Sequence, residues 1–323
     1  MRVSIIVPMY NEAGNVQNLV AAVSGAMIDK PEWELLLCND GSTDDTLKLA
    51  NEMAASDSRV KIVTYDENHG QGYALREGFK CATGDIIVTL DADLSYDPAL
   101  ISALIKPMTD DRMVDIVIGS PYLKGGGVEG VPFFRLLLSR GANRLLGIAL
   151  PGRLHTVTGI LRAYRADFLH GLEWDSRGKE IHFEILSKGL ATGASVVEVP
   201  AVLRGRERGH STIRVRAAIL SHLVFSFFER PAILFEAIGA IMLALGIASG
   251  IYIIWLWRHA ALDPTRPLVI LMVLLIVVGA IVLSFGFIAS QIVQVRKEIY
   301  RVQKGNLMLR KTIMEQTKKP KDV

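Results

Sequence analysis

Apolar residues enter the first 120 positions in short runs set between stretches of helical periodicity. Runs near 3–7, 33–38, 60–64, 85–90 and 115–119 have the length of buried strands. The stretches 14–28, 43–55, 71–82 and 98–109 repeat apolar positions as a helix packed on one face requires. Such alternation predicts an α/β fold: a parallel, doubly wound sheet with helices on both faces. Beyond Ser120 the pattern loosens. Gly125-Gly126-Gly127 leads to a predicted helix around 132–147, a strand-like segment at 157–164, a helix at 179–189 and a strand at 195–199.

Residues 213–229 keep Arg214, Ser221, His222, Ser226 and Glu229 on one helical face and fill the rest with Ile, Leu, Val and Phe. This predicts an interfacial helix lying along a membrane. Two stretches then carry no charge, 21 residues from Ala237 to Trp257 and 28 from Leu268 to Val295. About 20 apolar residues span a bilayer core, so two transmembrane helices are expected, joined by the turn Arg258 to Arg266. A buried hairpin in a soluble core is the competing reading, but Tyr252, Trp255 and Trp257 beside Arg258 fit an interfacial aromatic belt. The last segment has apolar residues at 292, 295, 299, 302, 309 and 313, with Asn306 where a seven-residue repeat calls for another. A buried Asn at such a seam fixes register between chains, so a homo-oligomer is expected. The boundaries are therefore an α/β domain at 1–212, an interfacial helix at 213–230, a two-helix hairpin at 231–291 and a basic helix at 292–323.

Charge follows the same division. The whole chain of 323 residues carries a formal +3, yet residues 1–212 hold 22 Lys or Arg against 27 Asp or Glu, a net of −5. The positive excess lies at 202–216, with five Arg against one Glu, and at 292–323, with nine Lys or Arg against three acids. That argues for anionic lipid headgroups and against nucleic acid as the partner. It also places both termini on the cytoplasmic side of the inner membrane. Met1 leads at once into the strand at 3–7, so no cleaved leader is expected. Cys38 and Cys81 sit in or beside core elements and are expected to be buried thiols.

Chemistry gathers at the strand ends. Ile86-Ile87-Val88-Thr89-Leu90 stops at Asp91-Ala92-Asp93-Leu94-Ser95-Tyr96-Asp97-Pro98, with Pro98 opening the next helix. Asp91 and Asp93 thus lie at the carboxyl end of a strand, where open α/β sheets bind ligands. Alternate strand residues share a face, so both carboxylates are expected to meet one hard cation, which would hold a diphosphate. A solvated Asp-rich turn is the plainer alternative. The first strand ends in Pro8-Met9-Tyr10-Asn11-Glu12, the second in Asn39-Asp40-Gly41-Ser42-Thr43-Asp44-Asp45-Thr46, and the third leads to Asn68-His69-Gly70-Gln71-Gly72. Ser42 or Thr43 can cap the following helix. Neither a dinucleotide fingerprint nor a P-loop is present.

Four successive strand tips with acids, amides and glycines resemble the family 2 glycosyltransferases of the GT-A type, whose pattern reads P-x-Y-N-E, D-D-G-S-x-D-x-T and D-A-D. The resemblance covers roughly residues 1–212. Within that family the chain is similar to the polyprenyl-phosphate hexose synthases, the dolichyl-phosphate mannose synthase group and its undecaprenyl-phosphate relatives. Gly119-Ser120-Pro121-Tyr122, Phe134-Arg135, Ser139-Arg140-Gly141-Ala142-Asn143, Thr158-Gly159, Arg162-Ala163-Tyr164-Arg165, Phe183-Glu184 and Arg206-Glu207-Arg208-Gly209-His210-Ser211 carry this closer likeness. Gln71 stands where the family has a lysine, and Pro121 where many members have an arginine.

The resemblance implies a GT-A, Rossmann-like fold, a nucleotide-sugar donor, a polyprenyl phosphate acceptor and Mg²⁺ or Mn²⁺ held by Asp91 and Asp93. Pro8, Tyr10, Asn11, Glu12, Asp40, Asn68 and Gly72 would bind the nucleotide. The acceptor phosphate and the leaving diphosphate are both anions, so their approach needs fixed guanidinium charge. Arg135 and Ser139 are the first candidates, followed by Arg140, Arg162, Arg206 and Arg208. Glu184 either lines the acceptor pocket or forms a helix-surface salt bridge. His69, His155, His182 and His210 have no metal-ligand spacing. Two rivals remain: transfer to a hydroxyl of a glycolipid or polysaccharide, and a non-catalytic membrane scaffold.

Overall fold

Each apolar run in the first 120 residues forms a strand: β1 Val3–Met9, β2 Trp33–Asp40, β3 Val60–Tyr65, β4 Ile86–Thr89 and β5 Val114–Ser120. The helices between them are α1 Val16–Ala26, α2 Thr46–Ser56, α3 Gln71–Cys81 and α4 Leu100–Asp110. Two three-residue strands, β6 Gly127–Glu129 and β9 Val202–Arg204, flank β7 Arg162–Arg165, α5 Ala166–His170, α6 Ile181–Ala191 and β8 Ser195–Pro200. The computed structural model describes residues 1–28, 30, 32–132, 136–137, 139–141, 143, 154–172, 174, 176–205, 231–259 and 267–318. The chain divides into two compact units, Met1–Val215 with Arg301–Val323, and Arg216–Tyr300.

The main sheet runs β3-β2-β1-β4-β7-β5-β8. The all-parallel sheet expected does not form, because β7 lies antiparallel between β4 and β5, with Ala163 opposite both Val88 and Val117. Period-two patterning marks a strand but carries no direction. Only the tail of the strand-like segment at 157–164 pairs; the part before Arg162 is a loop. β6 and β9 form a separate parallel pair that the glycine-rich stretch did not announce. Strands β1, β2, β4 and β5 are buried on both faces, as sheets covered by helices on each side require.

One charged network closes the edge of the sheet where β1 and β2 begin. Glu34 Oε1 accepts hydrogen bonds from Ser4 Oγ at 2.6 Å and from Thr83 N and Oγ1, both at 2.7 Å. Lys61 Nζ donates to Glu34 Oε2 at 2.6 Å. Burial alone would raise the Glu34 carboxyl, but Lys61, Ser4 and Thr83 outweigh it and hold the pKa at about 2.

The second unit is built from α7 Pro231–Arg258 and the start of α8 Pro267–Lys318. Phe235–Arg258 and Pro267–Val295 are long and apolar enough to cross a membrane. Their faces meet through glycines: a Cβ on Gly239 would stand 2.7 Å from Leu283 Cγ and 2.9 Å from Gly279 O. Small residues let apolar helices approach this closely. Tyr252, Trp255 and Trp257 are exposed near the end of α7. The helix expected at 292–323 is not separate; α8 runs on without a break to Lys318. Ile292, Val295, Ile299 and Val302 are exposed along it, and the side chains of 309 and 313 lie outside those described. The interfacial helix expected at 213–230 also lies outside the described residues. Cys38 is buried as expected, whereas Cys81 is exposed.

Candidate active site

At the tip of β1, Pro8 is half-buried and Tyr10 is exposed. Asn11 has φ of 54°, a left-handed geometry that Asn tolerates better than most residues. Its N–H donates to Ser42 Oγ at 3.0 Å, and its Oδ1 accepts from Thr43 N at 2.8 Å. Glu12 N donates to Thr46 Oγ1 at 2.8 Å, and Glu12 Oε2 accepts from Asn15 Nδ2 at 2.6 Å. The tips of β1 and β2 are thereby clasped together. Ser42 and Thr43 serve this clasp instead of capping α2. Asp44 takes the helix end, its Oδ1 accepting from Thr46 N at 3.0 Å. Burial would raise the Asp44 carboxyl, but hydrogen bonds from Thr46 and Ala13 hold it below the usual carboxylate range.

Asp40 is 3% exposed at the tip of β2. Its Oδ1 accepts from His69 N at 2.9 Å and its Oδ2 from Gly70 N at 2.8 Å, while Asn68 Nδ2 donates to Asp40 O at 3.1 Å. Two residues expected to bind nucleotide are thus engaged with one loop. The neighbouring Tyr65 hydroxyl is pushed well above its ordinary pKa by burial and by Asp40. Tyr65, His69 and Tyr73 pack ring against ring beside it, with centroids 4.5–5.5 Å apart.

Gly72 lies against the loop 176–178, where an added Cβ would stand 2.6 Å from Ser176 O and 2.7 Å from Gly178 O. Gly72 N and Tyr73 N donate to Arg177 O at 2.7 and 3.2 Å. A helix N-terminus binds anions through open amides, and here a protein carbonyl takes two of them. The next strand tip in the sheet is that of β4.

That tip carries Asp91 and Asp93. β4 ends at Thr89, so the acids flank a turn through the buried Ala92 and do not continue the strand. Leu94, with φ of 55°, turns the chain onward. Gln71 Nε2 donates to Asp91 Oδ1 at 3.5 Å, and Ser95 N donates to Asp93 Oδ1 at 3.0 Å. Two carboxylates fit a hard, oxygen-seeking cation. No third His, Cys, Asp or Glu joins them among the described residues, so a cation held here would have coordination positions left for other oxygen ligands. The turn is fastened to β9. Tyr96 pairs with Leu203, and Arg204 N donates to Ser95 O at 2.8 Å. The Arg204 side chain reaches Asp97 at 3.8 Å and Glu129 at 3.5 Å, exposed pairs that add little to stability.

Of the residues expected to meet an anionic acceptor, Arg135, Arg206 and Arg208 lie outside the described residues. Ser139 and Arg140 are described and helical. Tyr122 OH donates to Ser139 Oγ at 2.8 Å, and the Arg140 guanidinium lies 5.7 Å over the Tyr122 ring. Asn143, 2% exposed, accepts from Val157 N at 2.7 Å and donates to Ser139 O at 2.9 Å. The Ser120 and Thr156 hydroxyls meet at 2.7 Å. These ties escaped the sequence reading, because hydroxyls and amides far apart in the chain carry no spacing signal.

Arg162 is not an acceptor-binding arginine. It is fully buried, donating to Gly159 O at 2.8 Å, to His182 O at 2.6 Å and to Val157 O. Glu184 forms the salt bridge that was one of its two readings, with Lys188 Nζ at 2.6 Å, and accepts from Ser176 N at 3.0 Å. Burial would raise its carboxyl, but Lys188 and Ser176 keep it below the ordinary value. His155 is held by Glu198 at 2.9 Å, and His182 is buried.

The profile of Glycosyl transferase family 2 matches residues 4–172. A dolichol-phosphate mannosyltransferase from Pyrococcus furiosus is 38% identical over 217 residues, 66% of this chain and 60% of the relative's length. A dodecaprenyl-phosphate galacturonate synthase from Rhizobium johnstonii is 29% identical over 307 residues, 90% of this chain and 88% of its own. Among solved structures, glucosyl-3-phosphoglycerate synthase from Mycobacterium tuberculosis, crystallised with Mn²⁺, UDP and glucosyl-3-phosphoglycerate, aligns with a TM-score of 0.53. That alignment covers 70% of this chain and 79% of the other at 19% identity, a likeness of fold.

Proposed function

The chain belongs to glycosyl transferase family 2, and from that footing we propose an inverting enzyme that moves one sugar from a nucleotide diphosphate to a polyprenyl phosphate. The reaction would run at the cytoplasmic face of the inner membrane, with both termini on that side. One observation carries this reading. Arg204 N is bonded to Ser95 O, which sets the carboxylate turn beside the start of the arginine-rich segment 202–216, and two apolar helices follow that segment in the sequence. A carboxylate turn suited to a cation, a basic segment and a pair of apolar helices thus follow in that order along the sequence.

The roles divide by strand tip. Asp91 and Asp93 would hold Mg²⁺ or Mn²⁺, which when bound neutralises charge on the departing diphosphate. Pro8, Tyr10, Asn11 and Glu12 would meet base and ribose, with Asn68, Gly72 and Asp40 acting through the loop they shape. Arg135, Arg140 and Arg206, together with Ser139, would receive the acceptor phosphate, where guanidinium forks match its oxygens. The interfacial helix at 213–230 and the hairpin at 231–291 would anchor the domain at 1–212. The exposed stripe Ile292, Val295, Ile299 and Val302 is the proposed seam of a homo-oligomer.

A phosphate acceptor is favoured over a hydroxyl by the state of Glu184. A hydroxyl nucleophile needs a base with a pKa near neutrality, and Glu184 is held low by Lys188 and Ser176. A phosphate is already ionised and needs none.

Purified full-length protein in detergent, with Mn²⁺, undecaprenyl phosphate and a panel of UDP- and GDP-sugars, tests the reading by the mass of the lipid product. Mannose and galacturonate donors come first, since the relatives' names carry those sugars, and the galacturonate match extends over 90% of this chain. One sugar added to the phosphate supports the proposal. Transfer to undecaprenol alone would favour the hydroxyl-acceptor enzyme, and no transfer to any lipid the scaffold.

A further inference from the structure

Tyr96 has no part in the roles above, yet its place is unusual for a polar residue. Its side chain is 4% exposed. Its backbone is fixed by the bridge to Leu203, which fastens the carboxylate turn to β9. A Cβ on Gly159 would lie 3.9 Å from the Tyr96 hydroxyl, which sets that oxygen at the β5–β7 end of the edge. Among the described residues the hydroxyl makes no hydrogen bond. Tyr122, by contrast, gives its own hydroxyl proton to Ser139, and Thr156 is engaged with Ser120. Nor is the Tyr96 oxygen one of the buried side-chain atoms left without a partner, so within an otherwise buried side chain it stays open to solvent and to a ligand.

Which ligand follows from position and from protonation. The β1, β2 and β3 tips proposed for the nucleotide lie on the far side of Asp91 in the strand order, while Tyr96 reaches the side where Tyr122, Ser139 and Arg140 meet. Burial, then the Asp91 and Tyr122 charges, hold the phenol far above its ordinary pKa, with Arg162 opposing. It therefore stays a neutral donor at any physiological pH, suited to an anionic oxygen and unable to act as a base. Resting on the function proposed above, we propose that the Tyr96 hydroxyl is a catalytic hydrogen-bond donor to the acceptor phosphate, orienting its nucleophilic oxygen beside the Asp91 turn.

The test is Tyr96→Phe in the full-length protein, with Tyr122→Phe as comparison. Removing one hydrogen bond to a charged group is expected to lower kcat/KM for undecaprenyl phosphate about 10- to 100-fold. Affinity for free UDP or GDP and the rate of donor hydrolysis without acceptor should not change, and Tm should hold or rise, since no bond within the protein is lost. Tyr122→Phe, which does lose one, should lower Tm. Unchanged acceptor kinetics in Tyr96→Phe would overturn the assignment, as would a loss confined to nucleotide binding or a Tm drop matching Tyr122→Phe. Absence of transfer by the wild type would instead remove the proposed function itself, and this role with it.

Discussion

Asp40 Oδ2 accepts the Gly70 N–H at 2.8 Å, joining the end of β2 to the turn that opens α3. With the companion bond from His69 N, both carboxylate oxygens hold one loop. Asp40→Ala would leave two amides without their acceptor, at about 1–3 kcal/mol. Thermal unfolding should fall by several degrees and nucleotide affinity should weaken. Asp40→Asn, which keeps one acceptor oxygen, should lie between. An Asp40→Ala protein with unchanged Tm and abolished nucleotide binding would mean that the carboxylate touches the ligand directly.

Arg162 separates structure from recognition. Three carbonyls, those of Val157, Gly159 and His182, converge on its buried guanidinium. Arg162→Met should cost about 3 kcal/mol or more through those unsatisfied carbonyls and an emptied polar site. Denaturant unfolding would measure it. A variant with native stability but a raised KM for the lipid would return Arg162 to the acceptor site.

Glu34 predicts the acid limb of stability. Its folded pKa of about 2 lies below the ordinary 4.5, so the network favours folding at all pH above 4.5. That contribution, on the order of 3 kcal/mol, is lost as pH falls from 4.5 towards 2. Glu34→Gln should flatten the decline of Tm over that window and lower Tm at neutral pH. A mutant that follows the wild-type acid profile would contradict the assignment.

Close packing of α7 on α8 predicts the behaviour of the hairpin. Gly239→Leu places a side chain where Leu283 Cγ and Gly279 O already stand, 2.7 and 2.9 Å from the first added carbon. The two helices should separate, and cysteine pairs introduced across them in a cysteine-free background should lose crosslinking efficiency. Crosslinking equal to that of the parent would show that the hairpin absorbs the bulk.

Strands β1 to β5 and helices α1 to α4 are legible within two or three residues, because β1, β2, β4 and β5 are short runs buried on both faces, β3 keeps a short apolar run, and each helix keeps one apolar stripe. The direction of β7 is not, since Arg162-Ala163-Tyr164-Arg165 alternates alike in either sense. β6 and β9 have three residues each, too few for a period. At the site, Asp91 and Asp93 are found by their place after an apolar run, but the turn at Ala92 and Leu94 replaces the expected strand geometry. Ser42 and Thr43 do not cap α2, because Asn11 engages both; Asp44 instead accepts from Thr46 N at the helix start. Composition treats all arginines alike. Only packing tells Arg162, enclosed by carbonyls, from Arg140, stacked over a tyrosine at the surface.

The most direct test of the account is the lipid product made by wild-type protein and by Asp91→Asn and Asp93→Asn, each with Mn²⁺ and with EDTA. Wild type with Mn²⁺ should add one sugar to undecaprenyl phosphate. Chelation or either substitution should lower the rate by about 10³-fold or more, with Tm little changed. Transfer that continues undiminished in EDTA, or in both variants, would contradict the claim that these carboxylates hold the cation that carries the leaving diphosphate.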